Sequence, residues 1–343
     1  MKIDIHAHVL PERLPDMYGE TGYGEWIQMD PSGPGKAVMV TRTQRFREVD
    51  ANLWDADVRL RDCERAGIDV QVLSTVPVMF SYWAQPEHTL RLARFLNDHI
   101  AGMCAAHPRR FVGLGTLPMQ DVALAVGELQ RCMGELGFAG VEIGSHIGEM
   151  ELDDERLEPF WAAAAALGAV VFVHPWDVIG KDRLDRHWSK WLVGMPGETA
   201  FAFVSLAMGG VLERHPTLKI LLAHGGGALA GTIGRIDHGF RVRPDLCQLR
   251  SKTLPSELLK RVWVDSAVHD GDALRLLVDK VGVERICLGS DYPFPLGEHI
   301  PGRGIETLAG LSDAQRSRLL GGTALELLGL DPERYGPGAE VAA

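Results

Sequence analysis

The chain has no block of lysine and arginine. Its 343 residues carry 35 basic against 46 acidic side chains, a net charge of −11, which disfavours a nucleic-acid partner. Cysteine is scarce: five are scattered at positions 63, 104, 132, 247 and 287, with no Cys-x-x-Cys. That odd set excludes a disulfide framework and reads as reduced thiols. No apolar run approaches the length of a membrane span, so no membrane partner is expected. The opening Met-Lys-Ile-Asp-Ile-His carries no apolar leader, and a cytoplasmic location is the expectation. The first apolar run is not followed by a glycine-rich phosphate loop, which argues against an open dinucleotide-binding sheet. No internal repeat and no low-complexity tract is present.

What is there is an even rhythm. Apolar residues make up 46%, ample for a large core at this length. The β-rich runs 2–5, 70–74, 112–116, 140–143, 170–173, 220–223, 262–265 and 286–288 read as strands. Between and after them, 89–106, 122–136, 154–167, 199–214, 272–281 and 312–328 have helical periodicity, with Ser312 as a natural N-cap. This alternation predicts an α/β fold, a (β/α)8 TIM barrel, as a single domain over 1–335. A Pro- and Gly-rich insertion at about 11–52 breaks the rhythm after strand one and is expected over the barrel mouth. Alternation over 38–46 predicts ordered strands within it, and 336–343 reads as a flexible tail.

In a barrel, residues just past the strand ends surround one pocket. His6 and His8 end the first strand and point the same way in an extended segment. His174 ends the fifth strand (Val-Phe-Val-His-Pro-Trp-Asp), His224 the sixth (Leu-Leu-Ala-His-Gly-Gly-Gly) and Asp291 the eighth (Leu-Gly-Ser-Asp-Tyr-Pro). Imidazoles with one carboxylate suit zinc or another divalent transition ion, which lowers the pKa of a bound water. His224 reads as the unligated neighbour, free to act as general acid or base. On spacing alone, Arg47 and Arg235 read as surface arginines, and Trp176, Trp188 and Trp191 as either pocket or packing residues. His146 and His269 follow strands four and seven and are expected to stand behind the ligands. His88, His99, His107, His187, His215, His238 and His299 read as structural.

The motifs His6-x-His8, His174-Pro-Trp-Asp, His224-Gly-Gly-Gly and Gly289-Ser-Asp291-Tyr-Pro-Phe-Pro-Leu-Gly resemble those of the amidohydrolase superfamily, in particular its decarboxylase branch. Longer stretches carry the likeness from residue 1 to about 330, among them Leu73-Ser-Thr-Val-Pro-Val-Met-Phe-Ser-Tyr-Trp and Trp191-Leu-Val-Gly-Met-Pro. The resemblance implies one zinc ion per subunit on His6, His8, His174 and Asp291, with no organic cofactor. It makes His224 the acid/base, Arg47 the clamp on a carboxylate of a small dicarboxylate substrate, and Trp191 a pocket wall. It also implies a homodimer in which Arg235 reaches the neighbouring subunit's site, reversing the reading from spacing. Two other enzymes remain open alongside it: a decarboxylase of an aromatic hydroxy acid and a mononuclear hydrolase. The run Gly140-Val-Glu-Ile-Gly-Ser-His at strand four offers no lysine for carboxylation, which favours one metal over two.

Overall fold

The structure, a computed structural model, describes residues 1–335; the tail expected at 336–343 lies outside the described residues. Eight parallel strands pair in the order β1 (Ile3–Val9), β5 (Val70–Thr75), β6 (Phe111–Thr116), β7 (Gly140–Gly144), β8 (Val170–His174), β9 (Lys219–Leu222), β10 (Trp263–Asp265) and β11 (Ile286–Cys287). The chain just past β11 returns to β1. Ile5 N donates to Leu288 O at 2.8 Å, Asp291 N to His6 O at 2.9 Å and His8 N to Tyr292 O at 2.7 Å. With helices following the strands, this is a (β/α)8 TIM barrel.

One buried apolar cluster joins Ile3, Val72, Leu114, Phe172 and Leu221, residues of strands on different sides of the barrel, and fills its interior. A larger cluster lies between strands and helices, where Val141, Val171 and Leu222 meet Phe160, Trp161 and Phe203. Each such side chain contributes about 2–3 kcal/mol by leaving water. Rigid strands held this way give the strand ends a fixed geometry.

Between β1 and β5 lies an antiparallel sheet of β2 (Gln28–Gly33), β3 (Lys36–Val40) and β4 (Arg45–Asp50). Its inner residues Ala37 and Met39, with Trp26 just before β2, share a cluster with Val76, Met79 and Leu92 of the barrel. That seating holds β4, and Arg47 on it, over the strand ends.

Two helical expectations differ in detail. The run 199–214 is two helices, Met195–Met208 and Val211–Arg214, because Gly210 takes φ 78° and breaks the ladder. The run 312–328 begins at the Ser312 cap, whose Oγ accepts from Gln315 N at 3.2 Å. It widens to a π turn over Arg318–Gly322 before Thr323–Leu328. There the helix passes so close to the chain start that a Cβ on Gly321 would lie 2.9 Å from Met1 O.

The stretch Lys190–Met208 is also longer and more apolar than expected. Its 19 residues and mean hydropathy of 1.2 suffice, by length and composition, to cross a membrane. Met195, Thr199, Ala202, Phe203 and Leu206 pack on the barrel, while Leu192, Val193 and Phe201 stay exposed, so packing accounts for only part of its apolar character.

Candidate active site

His6 and His8 are both fully buried on β1, two residues apart and therefore on one face. The pairing of β1 with β5 slips between Asp4 and Ala7, an irregularity that spans His6 and ends before His8. His174 is the last residue of β8, and Asp291 follows β11 with a left-handed φ of 58°. One donor atom from each of these four residues lies within 4.8 Å of the others.

The far nitrogens of the rings are already committed. His6 Nδ1 donates to Asp265 Oδ2 at 2.7 Å, His8 Nδ1 to Thr75 O at 2.8 Å and His174 Nδ1 to Pro175 O at 3.0 Å. Their Nε2 lone pairs are left for the centre. His6 Nε2 and His8 Nε2 face each other at 3.1 Å, and His174 Nε2 is buried without a hydrogen-bond partner. Asp291 Oδ1 lies 3.5 Å and 3.2 Å from the first two. Converging lone pairs with a carboxylate beside them call for a cation, and three nitrogens with one oxygen fit a divalent transition ion.

The electrostatics agree. Burial opposes the charge on Asp291, but His224, His8 and His6 around it hold the carboxyl well below the usual carboxylate range. Burial, with the three neighbouring imidazoles, pushes His174 well below 6.5, so it stays neutral. Burial also pulls His6 down, yet its bond to Asp265 and the charges of Asp291 and Asp265 lift it to about 9, so a cation entering the centre displaces a proton from its Nε2. Glu142 of β7 is fully buried, with Oε1 3.8 Å from His8 Nδ1; burial pushes its carboxyl well up, leaving a neutral acid beside the donor set.

His224 follows β9 with φ 56° and stands outside the four-atom set. Its ring centre is 5.0 Å from that of His174, and its Nε2 is 3.7 Å from Asp291 Oδ2. Behind it, a Cβ on Gly227 would sit 2.2 Å from Pro196 O, so only glycine lets this turn close.

Asp265 is the residue that reading the sequence missed. Oδ2 accepts from His6 Nδ1 and, at 2.8 Å, from His224 N; Oδ1 accepts from Gly225 N at 2.8 Å and Ala267 N at 3.0 Å. One buried carboxylate thus orients a ligand ring and the turn carrying His224. Its only trace in the sequence is an aspartate ending the strand-seven run. Asp265→Asn is expected to weaken metal binding about 10- to 100-fold, measured by competition with a chromophoric chelator.

The site opens into a cavity of about 450 Å³. Arg47, Trp176, Trp188 and Trp191 line it together with His8, His174, His224 and Asp291. The Arg47 guanidinium stacks 4.3 Å above the Phe294 ring and 5.6 Å from that of Phe46. Burial lowers its pKa and the Asp291 charge raises it; a guanidinium stays cationic throughout.

An amidohydrolase family model matches residues 3–330. The chain belongs to the amidohydrolase family. It is 50% identical over 335 residues, 98% of its own length and 93% of the relative's, to 2-amino-3-carboxymuconate-6-semialdehyde decarboxylase of Dictyostelium discoideum. It is 41% identical to the enzyme of the same name from Caenorhabditis elegans, covering 96% of this chain and 94% of that one. Among solved structures, 5-carboxyvanillate decarboxylase from Sphingomonas paucimobilis superposes with a TM-score of 0.82 at 25% identity, covering 96% of this chain and 99% of that one. This amidohydrolase is a metal-dependent decarboxylase.

Within a single decarboxylase chain, Arg235 is not in the cavity. It lies on the exposed face of the helix Leu229–Val242 and makes no hydrogen bond or ion pair among the described residues. His146 turns away as well: Nδ1 bonds Gly148 O at 2.8 Å and Nε2 bonds Asp177 O at 3.2 Å. His269, by contrast, lines the cavity.

The loop that carries Asp291 is tied down by Glu298, whose Oε2 accepts from Gly302 N at 2.8 Å. Burial pushes this carboxyl up from 4.5 to about 7. Because the folded state holds the proton more tightly than the unfolded chain, this group favours the fold fully below about pH 4.5 and loses that contribution as pH rises through about 7. Glu298→Gln keeps the acceptor and removes the charge. It is expected to stabilise the protein by about 2 kcal/mol near pH 8 and to be neutral near pH 4.5, read as the difference in Tm.

Proposed function

We propose that this decarboxylase is zinc-dependent, acts on 2-amino-3-carboxymuconate 6-semialdehyde, and works as a homodimer. The observation that carries the reading is the place of Arg47: a guanidinium on the wall of the cavity into which the four donor atoms converge. A guanidinium matches a carboxylate bidentately, and a dianionic substrate in an acidic protein needs such a local cation. Direct loss of CO2 from an sp2 carbon leaves a poor vinyl carbanion. Water adding to the neighbouring carbon breaks the conjugation and makes the loss feasible.

His6, His8, His174 and Asp291 would hold the zinc. A divalent ion there supplies Lewis acidity and lowers the pKa of water. The chain's own groups do the rest. His224, its turn fixed by Asp265, takes a proton from the adding water and passes it to the carbon that bears the departing carboxylate. Loss of CO2 from that carbon then re-forms the double bond and expels hydroxide, which takes up a proton from solvent and leaves as water. Arg47 holds a carboxylate, and Trp191 packs on the planar chain of the substrate. Arg235 completes the clamp from the neighbouring subunit. Exposed apolar residues in the stretches after β8 and β9 support a dimer face: Val193 is 66%, Leu246 60% and Leu249 73% exposed. On this reading the enzyme serves tryptophan breakdown through 3-hydroxyanthranilate and diverts the semialdehyde from closure to quinolinate.

The test is a spectrophotometric assay of zinc-loaded enzyme on the semialdehyde, with CO2 trapped and counted, beside γ-resorcylate as an aromatic alternative. Decay well above the spontaneous rate, abolished by chelation and restored by zinc, is expected. Turnover of γ-resorcylate alone would overturn the substrate assignment.

A further inference from the structure

Three consecutive strands, β9, β10 and β11, are each followed by a non-glycine residue in the left-handed backbone region. These are His224 at φ 56°, His269 at φ 58° and Asp291 at φ 58°. L-residues adopt this conformation rarely, and backbone strain of this kind gathers at functional sites. Asp291 belongs to the donor set and His224 stands beside it. His269 is held in the same way, and no role in the site has yet been given to it.

Its surroundings point to a ligand. The turn that leads to it is anchored by Asp265, which accepts from Ala267 N at 3.0 Å, and by the bond from Val268 N to Ser266 O at 2.8 Å. Beyond it, Asp270 caps the helix Gly271–Val281 by accepting from Ala273 N at 2.8 Å. The backbone is therefore fixed on both sides of an imidazole that is exposed on the cavity wall and bonded to no other described residue. The rest of that wall, Ala267, Val268, Ala273, Leu276 and Leu277, is apolar. His269 is its one polar group.

We propose that His269 recognises the aldehyde of the substrate by donating a ring N–H to the aldehyde oxygen, a reading that rests on the substrate assigned above. The carboxylates of the substrate match guanidinium groups in charge and shape. The aldehyde is uncharged and accepts hydrogen bonds, and an imidazole ring supplies an N–H donor of matching kind. The other imidazoles of the site are engaged: three converge on the donor set and His224 is assigned the proton transfer. His269 thereby separates an aldehyde-bearing dicarboxylate from one that lacks the aldehyde.

The experiment measures binding of two rigid dicarboxylates, isophthalate and 5-formylisophthalate, to zinc-loaded enzyme by calorimetry. The parent is expected to prefer the formyl compound about tenfold, the worth of one hydrogen bond between uncharged groups. His269→Ala should lose that preference with isophthalate affinity and zinc content unchanged. His269→Asn, which tolerates the left-handed backbone and keeps an N–H, should retain most of it. In turnover, His269→Ala should raise KM for the semialdehyde about tenfold with a smaller change in kcat. No preference in the parent, the same preference in His269→Ala, or equal loss for both ligands would overturn the proposal. A parent that prefers the formyl ligand but leaves the semialdehyde intact would support the His269 contact while overturning the substrate assignment.

Discussion

His224→Ala is expected to leave zinc bound at one ion per chain and to lower kcat about 1,000-fold. The two readouts separate because the four donor atoms that lie within 4.8 Å of one another come from His6, His8, His174 and Asp291, without His224. The His224 ring faces Asp291 from the side, Nε2 to Oδ2 at 3.7 Å. The turn that carries it is held through the backbone, by His224 N and Gly225 N on Asp265, so truncating the ring leaves the turn in place. Metal analysis and single-turnover kinetics on the same preparation check this. Loss of zinc together with activity would make His224 a ligand and dismantle its assignment as the acid/base.

Arg235→Ala is expected to lower kcat/KM about 100-fold or more, the scale set by losing a charged clamp on a substrate carboxylate. The more telling result comes from mixing. In a dimer of one Arg235→Ala chain and one His224→Ala chain, the first chain keeps His224 and receives Arg235 from its partner. The second pocket has neither group. A mixed dimer purified on two different affinity tags should therefore show about half the wild-type rate, since one of two symmetric sites is whole. If Arg235 worked within its own chain, neither pocket would be complete and the mixed dimer would be as slow as its parents. The exposed place of Arg235 on the helix Leu229–Val242, outside the cavity of its own chain, is what makes the experiment decisive.

The barrel was legible because each strand and helix carries its own period. Apolar alternation and 3.6-residue spacing are local properties, and they located all eight strands to within a few residues. The His-x-His pair was legible for the same reason, since side chains two apart in a strand must share a face. Asp265 was not legible. Its carboxylate matters because β10 lies beside β9 and only one strand, β11, away from β1 in the closed barrel, which lets one group reach His6, His224 and Gly225. His269 was placed behind the ligands by its position after strand seven. The fold puts it on the cavity wall, because the left-handed turn after Asp265 carries it there.

Residue spacing alone thus pointed to the kind of fold and to a divalent-ion donor set, because strand and helix periods and the strand-end positions are written along the chain. Which ring nitrogens are free, which carboxylate orients them and which arginine enters the cavity were decided only by the closed barrel. There β1, β8 and the segment after β11 bring residues nearly 300 positions apart within hydrogen-bonding distance, as in the bond from Ser290 N to Asp4 Oδ1 at 2.9 Å. Burial then fixes their charges: the water that would solvate each group alone is gone, and every lone pair must be answered by a neighbour.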